Sequence, residues 1–326
     1  MMPPGSRQNG GMQRTPAIAI GVVVVVLAAV IAFFFLSGSE PPVASPSPSL
    51  PVSAEPSASA STSPTFAADL LDRQWNVLYV GTDVNEGRAQ NEEPVNTDAL
   101  MLVSLSADQS ELTLISLPRD TVDVPLADGG TWPGKVNSLY REEGIDALVG
   151  AMEALYGVPI DAHIVLDMDD FRGLVDAVGG IEVSPPGPVV DPIVDLDLPA
   201  GPQEIDGATT LGYVRTRVDM DYGRMGRQQE VVVSLARTLI DPGTEIDLRA
   251  TLDSFGSLET DLPLDELPTL LELARRAVEA DVRTLVIGPP LITFEGDRGD
   301  GRGYIIEPDV EAIRAEVQGL IGEEAS

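Results

Sequence analysis

At 326 residues the chain has room for one large domain or two small ones with appendages. A formal net charge of −32 argues against a general nucleic-acid binder, which needs a basic surface. With no cysteine and a single histidine, disulfides, thiolate chemistry, Cys-based zinc and His-rich metal sites are excluded, and a Ser-His-Asp triad is disfavoured.

Ala17–Leu36, AIAIGVVVVVLAAVIAFFFL, is uncharged and almost wholly apolar. At ~1.5 Å per residue it spans ~30 Å, the hydrocarbon core of a bilayer. Arg7 and Arg14 precede it and Glu40 is the first charge after it, which predicts a cytoplasmic N-terminus with everything after Ser37 outside. A cleaved signal peptide is the competing reading. The apolar run is too long for one, and Ser37-Gly38-Ser39 is a weak cleavage site. The expected organisation is a cytoplasmic tail (1–16), one transmembrane helix (17–36), a Pro/Ser/Ala-rich disordered linker (37–68) and one extracytoplasmic domain (69–326). The linker composition cannot bury enough apolar surface to fold.

Trp75–Gly81, Thr97–Leu105 and Glu111–Leu117 read as strands, the second and third joined by a turn short enough for an antiparallel hairpin. If the first two are also antiparallel neighbours, Asp83, Asp98, Arg119 and Asp120 converge on one edge of the sheet. Two carboxylates there suit Mg²⁺, although each alone is more simply a turn or strand-end residue. Lys135, the only lysine, follows in TWPGKVNSLY. Gly144–Tyr156 reads as a helix stopped by Gly157. Asp161–Asp167 is the next strand, in which His163 is expected to be structural. A helix over Asp169–Val178 and a short strand, IEV, follow. Alternating helices and strands predict an α/β sandwich with helices on both faces.

Ser184–Pro202 is Pro/Gly-rich and is expected to be a loop or lid. A short helix over Asp206–Val214 leads into LGYVRTRVDMDYGRMGRQQ (211–229). Here Arg215, Arg217, Arg224 and Arg227 crowd together in an acidic chain. Arginine's planar fork suits phosphate oxygens, while Asp219 and Asp221 can orient guanidinium groups or hold a metal. Arg224, Arg227 and Gln228 fall on one helical face. Surface ion pairs are the alternative, and charge alone does not choose. An amphipathic helix (LDELPTLLELARRAVEA), a strand (VRTLVIG), a loop (ITFEGDRGDGRG) and a terminal helix over Pro308–Leu320 close the chain.

These pieces resemble the LytR-CpsA-Psr (LCP) family of envelope ligases. The resemblance rests on GTD (81–83), TDALML (97–102), SLPRDT (116–121), KVNSLY (135–140), VDAVGGIEV (175–183), LGYVRTR (211–217) and DYGRMGRQQ (221–229) in this order. It implies a three-layer α/β/α sandwich with a mixed central sheet, preceded by one transmembrane helix, and a hydrophobic cleft for a polyprenyl chain. The implied activity is an Mg²⁺- or Mn²⁺-dependent phosphotransferase that moves a glycopolymer from a polyprenyl-pyrophosphate donor to a peptidoglycan hydroxyl, with no nucleic-acid partner. Carried over by motif, Asp83 and Asp98 would hold the metal. Arg119, Lys135, Arg215, Arg217, Arg224, Arg227 and Gln228 would engage the pyrophosphate. Arg119 is catalytic in this reading, with Asp120 and Asp221 as the candidate bases. A polyprenyl-pyrophosphate hydrolase and a non-catalytic lipid-pyrophosphate or glycan-binding protein are the alternatives. A transcriptional regulator is disfavoured by the acidity and the lack of a DNA-binding motif.

Overall fold

The computed structural model describes residues 67–83, 95–241, 244 and 258–322. The expected transmembrane helix and most of the expected linker lie outside the described residues. No helix among the described residues is long and apolar enough to cross a membrane.

After a short helix α1 (Ala68–Leu71), three strands, β1 (Trp75–Thr82), β2 (Thr97–Leu105) and β3 (Glu111–Ser116), form the expected antiparallel meander. Helices α2 (Leu139–Glu143) and α3 (Ile145–Tyr156) follow, then β4 (Ala162–Asp167), α4 (Met168–Ala177) and β5 (Ile181–Val183). Next come β6 (Val189–Asp191), β7 (Leu196–Leu198), β8 (Gln203–Ile205), α5 (Gly207–Arg215), the long α6 (Met220–Ile240) and β9 (Glu259–Thr260). The chain closes with α7 (Leu267–Glu279), β10 (Asp281–Val286), β11 (Ile292–Asp297), β12 (Tyr304–Pro308) and α8 (Val310–Ile321).

The central sheet has the order β10-β3-β2-β1-β4-β9 and is mixed: β4 runs parallel to β1 and β10 parallel to β3. Strand β1 is buried along nearly its whole length because both its faces are covered. Alternate residues serve different cores. Leu78 and Val80 pack with Leu100, Leu102 and Ile115 against α3 and α8, while Val77 and Tyr79 pack with Met101 and Val103 against α4, α6 and α7.

Local chemistry sets the helix ends. Asp167, Asp206 and Asp309 each accept a hydrogen bond from a first-turn N–H, capping α4, α5 and α8. Gly157 ends α3 at φ 71°, a conformation that favours glycine. At the α4–α5 contact, a Cβ on Gly207 would lie 2.3 Å from the Arg172 carbonyl oxygen, and the Gly207 N–H donates to Asp176 Oδ1 at 2.7 Å. Backbone cannot yield as a flexible side chain can. Gly207→Ala is therefore expected to destabilise the fold by about 1–3 kcal/mol, read as a lower urea midpoint at unchanged slope.

Three expectations are corrected. Residues 184–202 are not wholly irregular: β6 and β7 pair as a small antiparallel hairpin, with Val189, Leu196 and Leu198 buried. The buried Asp191 carboxylate ties that hairpin down, accepting from Thr216 Oγ1 at 2.6 Å and from the Ile193 N–H at 3.0 Å. ITFEGDRGDGRG is likewise the first strand and the turn of the β11–β12 hairpin. Pro308 ends β12, so the last helix starts after it, capped by Asp309.

Candidate active site

The strand pairing builds the site. Gly81 pairs with Ala99 and Thr82 with Thr97, leaving Asp98 as the extra residue of a bulge, a device that re-aims a side chain. Asp83 is fixed alongside: its N–H donates to Asn96 O at 3.0 Å, and its Oδ1 accepts from the Asn96 N–H at 2.8 Å. Arg119, three residues beyond β3, reaches back so that its Nη1 donates to Asp98 Oδ1. Asp120 lies on the other side of Arg119, with Oδ2 3.8 Å from Nε, and its Oδ1 accepts from Lys135 Nζ at 2.8 Å.

The first turns of α6 complete the cluster. Arg224, 2% exposed, brings Nη2 within 2.8 Å of Asp221 Oδ1, and Arg217 Nε lies 3.6 Å from the same oxygen. Burial lowers the pKa of Arg224 despite the opposing Asp221 charge. At Arg119 burial also works against the charge, but the Asp98 carboxylate more than offsets it and the pKa lies above the ordinary value. Both guanidinium groups remain cationic. Arg119 Nε, Arg224 Nε and Asp221 Oδ2 are buried without a hydrogen-bond partner, while Arg224 Nη2 and Asp221 Oδ1 are ion-paired to each other. Native structures leave few such atoms, and three in one cluster mark a site built to receive a polar group.

An apolar cleft opens beside this cluster, between the sheet and α4, α5 and α6. Tyr79, Leu166, Phe171, Leu211, Val214 and Val231 are among its lining residues, and Asp98, Arg215, Arg224 and Gln228 stand at its polar part. An apolar slot with a few convergent charged groups is the usual form of a small-molecule site.

Of the residues picked out from the sequence, Asp83, Asp98, Arg119, Asp120, Lys135, Arg217, Asp221 and Arg224 fall at the cluster or on the strand ends that carry it, and Arg215 and Gln228 line the cleft. Arg227 is the exception. Its Nε donates to Tyr213 O at 2.8 Å, Nη2 to Thr216 O at 2.6 Å and Nη1 to Asp219 Oδ2 at 2.6 Å, so its fork ties α5 to α6. Gly223 gives Asp219 room for that contact, since a Cβ there would sit 2.2 Å from Asp219 Oδ2. His163 is structural, as expected, with Nδ1 3.2 Å from Asp261. No group of three or more His, Cys, Asp or Glu able to hold a metal ion occurs among the described residues. The sequence reading missed Glu295, whose carboxylate accepts from both Tyr304 and Tyr222, the latter at 3.0 Å. Tyr304 faces Glu295 within one hairpin, but Tyr222 lies 73 residues away, and no motif announces their meeting.

Comparison with known proteins places this geometry. The model of the LytR_cpsA_psr family matches residues 52–303. Over 212 residues the chain is 34% identical to the probable cell wall biosynthesis protein LcpB of Corynebacterium glutamicum, covering 64% of this chain and 48% of that protein. It is 26% identical over 267 residues to the Bacillus subtilis polyisoprenyl-teichoic acid–peptidoglycan teichoic acid transferase TagV, covering 77% of this chain and 65% of TagV. The crystal structure of B. subtilis TagV superposes with a TM-score of 0.59 at 24% identity, over 76% of this chain and 97% of that one, a likeness of fold. The chain thus spans about half to two thirds of these relatives' length.

Proposed function

This chain belongs to the LytR-CpsA-Psr family, and from that premise we propose that it is a membrane-anchored, extracytoplasmic phosphotransferase. It would transfer a glycopolymer from a polyprenyl-pyrophosphate carrier to a peptidoglycan hydroxyl. The observation that carries this reading is the pair of buried guanidinium groups, Arg119 and Arg224, whose Nε donors have no hydrogen-bond partner, beside an apolar cleft that Arg224 lines. A lipid pyrophosphate has the matching halves: an apolar tail for the cleft and phosphate oxygens for the guanidinium forks.

In the proposed reaction the acceptor hydroxyl oxygen bonds to the phosphorus on the glycan side of the pyrophosphate. The bond from that phosphorus to the bridging oxygen breaks, and polyprenyl monophosphate leaves with the electron pair. Arg119, Arg215, Arg217 and Arg224 would hold and neutralise the phosphoryl oxygens, which is most of what phosphoryl transfer asks of a protein. The hydroxyl proton would pass to a carboxylate. Asp120 is paired with Lys135 and Asp221 with Arg224, each through one oxygen, so both carboxylates remain candidates for the base.

The donor set at the strand ends is oxygen-only, which fits Mg²⁺ or Mn²⁺ and not a thiolate or imidazole metal. Asp83 and Asp98 would hold such an ion, with substrate oxygens completing its shell. When bound it would add charge neutralisation at the pyrophosphate.

The test uses the full chain in detergent micelles, a polyprenyl-pyrophosphate-linked saccharide and peptidoglycan fragments, following release of polyprenyl monophosphate. Release that requires acceptor and falls at least tenfold on chelation is expected. Equal release without acceptor would instead establish a hydrolase. Bound lipid with no release would leave a binding protein.

A further inference from the structure

The β11–β12 hairpin sits against the cluster without lining the apolar cleft. Its second strand is stitched to the segment after Arg119: the Ile306 N–H donates to Asp120 O at 3.1 Å, and the Val122 N–H donates to Ile306 O at 2.9 Å. This stitching sets Tyr304, two residues before Ile306, beside Asp120. Tyr304 is 45% exposed and is one of the few large apolar side chains so exposed among the described residues.

The Tyr304 ring is nevertheless held in place. Its hydroxyl donates to one oxygen of Glu295, while Tyr222, the residue after Asp221, donates to the other at 3.0 Å. Tyr222 is itself pressed on Gly288, where a Cβ would come within 2.7 Å of its ring. Burial, the Glu295 hydrogen bond and the nearby Asp120 and Asp221 charges hold the Tyr304 phenol protonated, well above its ordinary pKa. The result is a fixed aromatic ring, open to solvent, with Glu295 on its hydroxyl.

That chemistry selects its ligand. Glu295, the carboxylate on the ring's own hydroxyl, disfavours an anion at this spot, while the pyrophosphate is assigned to the guanidinium groups of Arg119, Arg217 and Arg224. A pyranose ring fits: its C–H face covers an aromatic face, and its hydroxyl and amide hydrogens donate to carboxylates. We propose that Tyr304, supported by Glu295 and Tyr222, is the acceptor subsite, on which a neutral sugar ring of the acceptor glycan stacks with its hydroxyl toward Asp120 and Asp221. The proposal rests on the transferase reading above and assigns that reading its second substrate.

The test compares the full chain with Tyr304→Ala and Tyr304→Trp in detergent micelles, using a neutral β-linked N-acetylhexosamine tetrasaccharide as probe. In the transfer assay, Tyr304→Ala is expected to raise the acceptor KM about tenfold or more without raising the donor KM. Tyr304→Trp should bring the acceptor KM back to within about threefold of the native value. An unchanged acceptor KM in Tyr304→Ala, or a rise confined to the donor KM, overturns the subsite. If the native protein transfers nothing, the transferase reading fails by itself, and calorimetric titration of the tetrasaccharide judges the subsite alone. Binding to the native protein that weakens tenfold in Tyr304→Ala supports it. No binding to the native protein, or equal binding to both, overturns it.

Discussion

Replacing Arg224 with alanine is expected to cut turnover by about 10²–10³-fold, the scale on which a single preorganised donor to a developing charge counts. Arg224 is almost fully buried; its Nε has no hydrogen-bond partner and its Nη2 is paired with Asp221. Its desolvation is therefore offset by little except Asp221 until a ligand arrives. Arg224→Lys should recover only a small part of the loss, because a compact ammonium on a flexible stem cannot present two parallel donors. Asp221 keeps Arg217 at 3.6 Å and is partly exposed, so the fold should survive the change. The check is steady-state release of polyprenyl phosphate together with a thermal melt. A folded Arg224→Ala protein working within threefold of the native rate would reduce this arginine to a structural ion pair.

Arg227, three residues further along the same helix, should behave in the opposite way. Arg227→Ala leaves the Tyr213 and Thr216 carbonyls without their donor and Asp219 without its ion pair. Orphaning two such groups costs about 3 kcal/mol. For a domain of this size that corresponds to a melting point lower by about 6–12 °C. Assayed well below that melting point, turnover should stay within about fivefold of native. Abolished turnover with an unchanged melting point would mean that Arg227 serves the pyrophosphate, as its place in the motif implies. The pair is informative because the two side chains share a helix, a residue type and near-complete burial, and differ only in where their hydrogen bonds go.

That difference also marks what can be read from this sequence. A short turn between two apolar runs indicates the β2–β3 hairpin, but the pairing of β1 with β2, and with it the convergence of Asp83, Asp98, Arg119 and Asp120, is an assumption until the fold supplies it. Helical spacing alone put Arg224 and Arg227 on one face, yet a side chain three residues on is turned by about 60° from its neighbour. That turn is enough to hand Arg227 to the carbonyls at the end of α5, a tertiary contact without local signal. The β6–β7 hairpin escaped notice because each strand is three residues long, too short for alternation to stand out among prolines and glycines. In the same way Tyr222 meets Glu295 through the fold, across an interval of 73 residues that no spacing rule spans.

The two faces of the central sheet are unequal in a way that bears on substrate traffic. The layer formed with α3 and α8 lines no part of the cleft, whereas Tyr79, Phe171, Val231 and Val232 belong at once to the opposite core and to the cleft wall. A hydrocarbon tail entering there does not adhere to an outer surface; it supplies missing volume to a hydrophobic interior. Donor occupancy and conformational stability then become one equilibrium. An empty molecule would be the softer of the two states, and a ligand at a hundred times its dissociation constant would add about 2.7 kcal/mol to the folded state. Under the proposed function the lipid carrier would be a transient structural element of the domain, and releasing the lipid monophosphate would mean giving up part of the core.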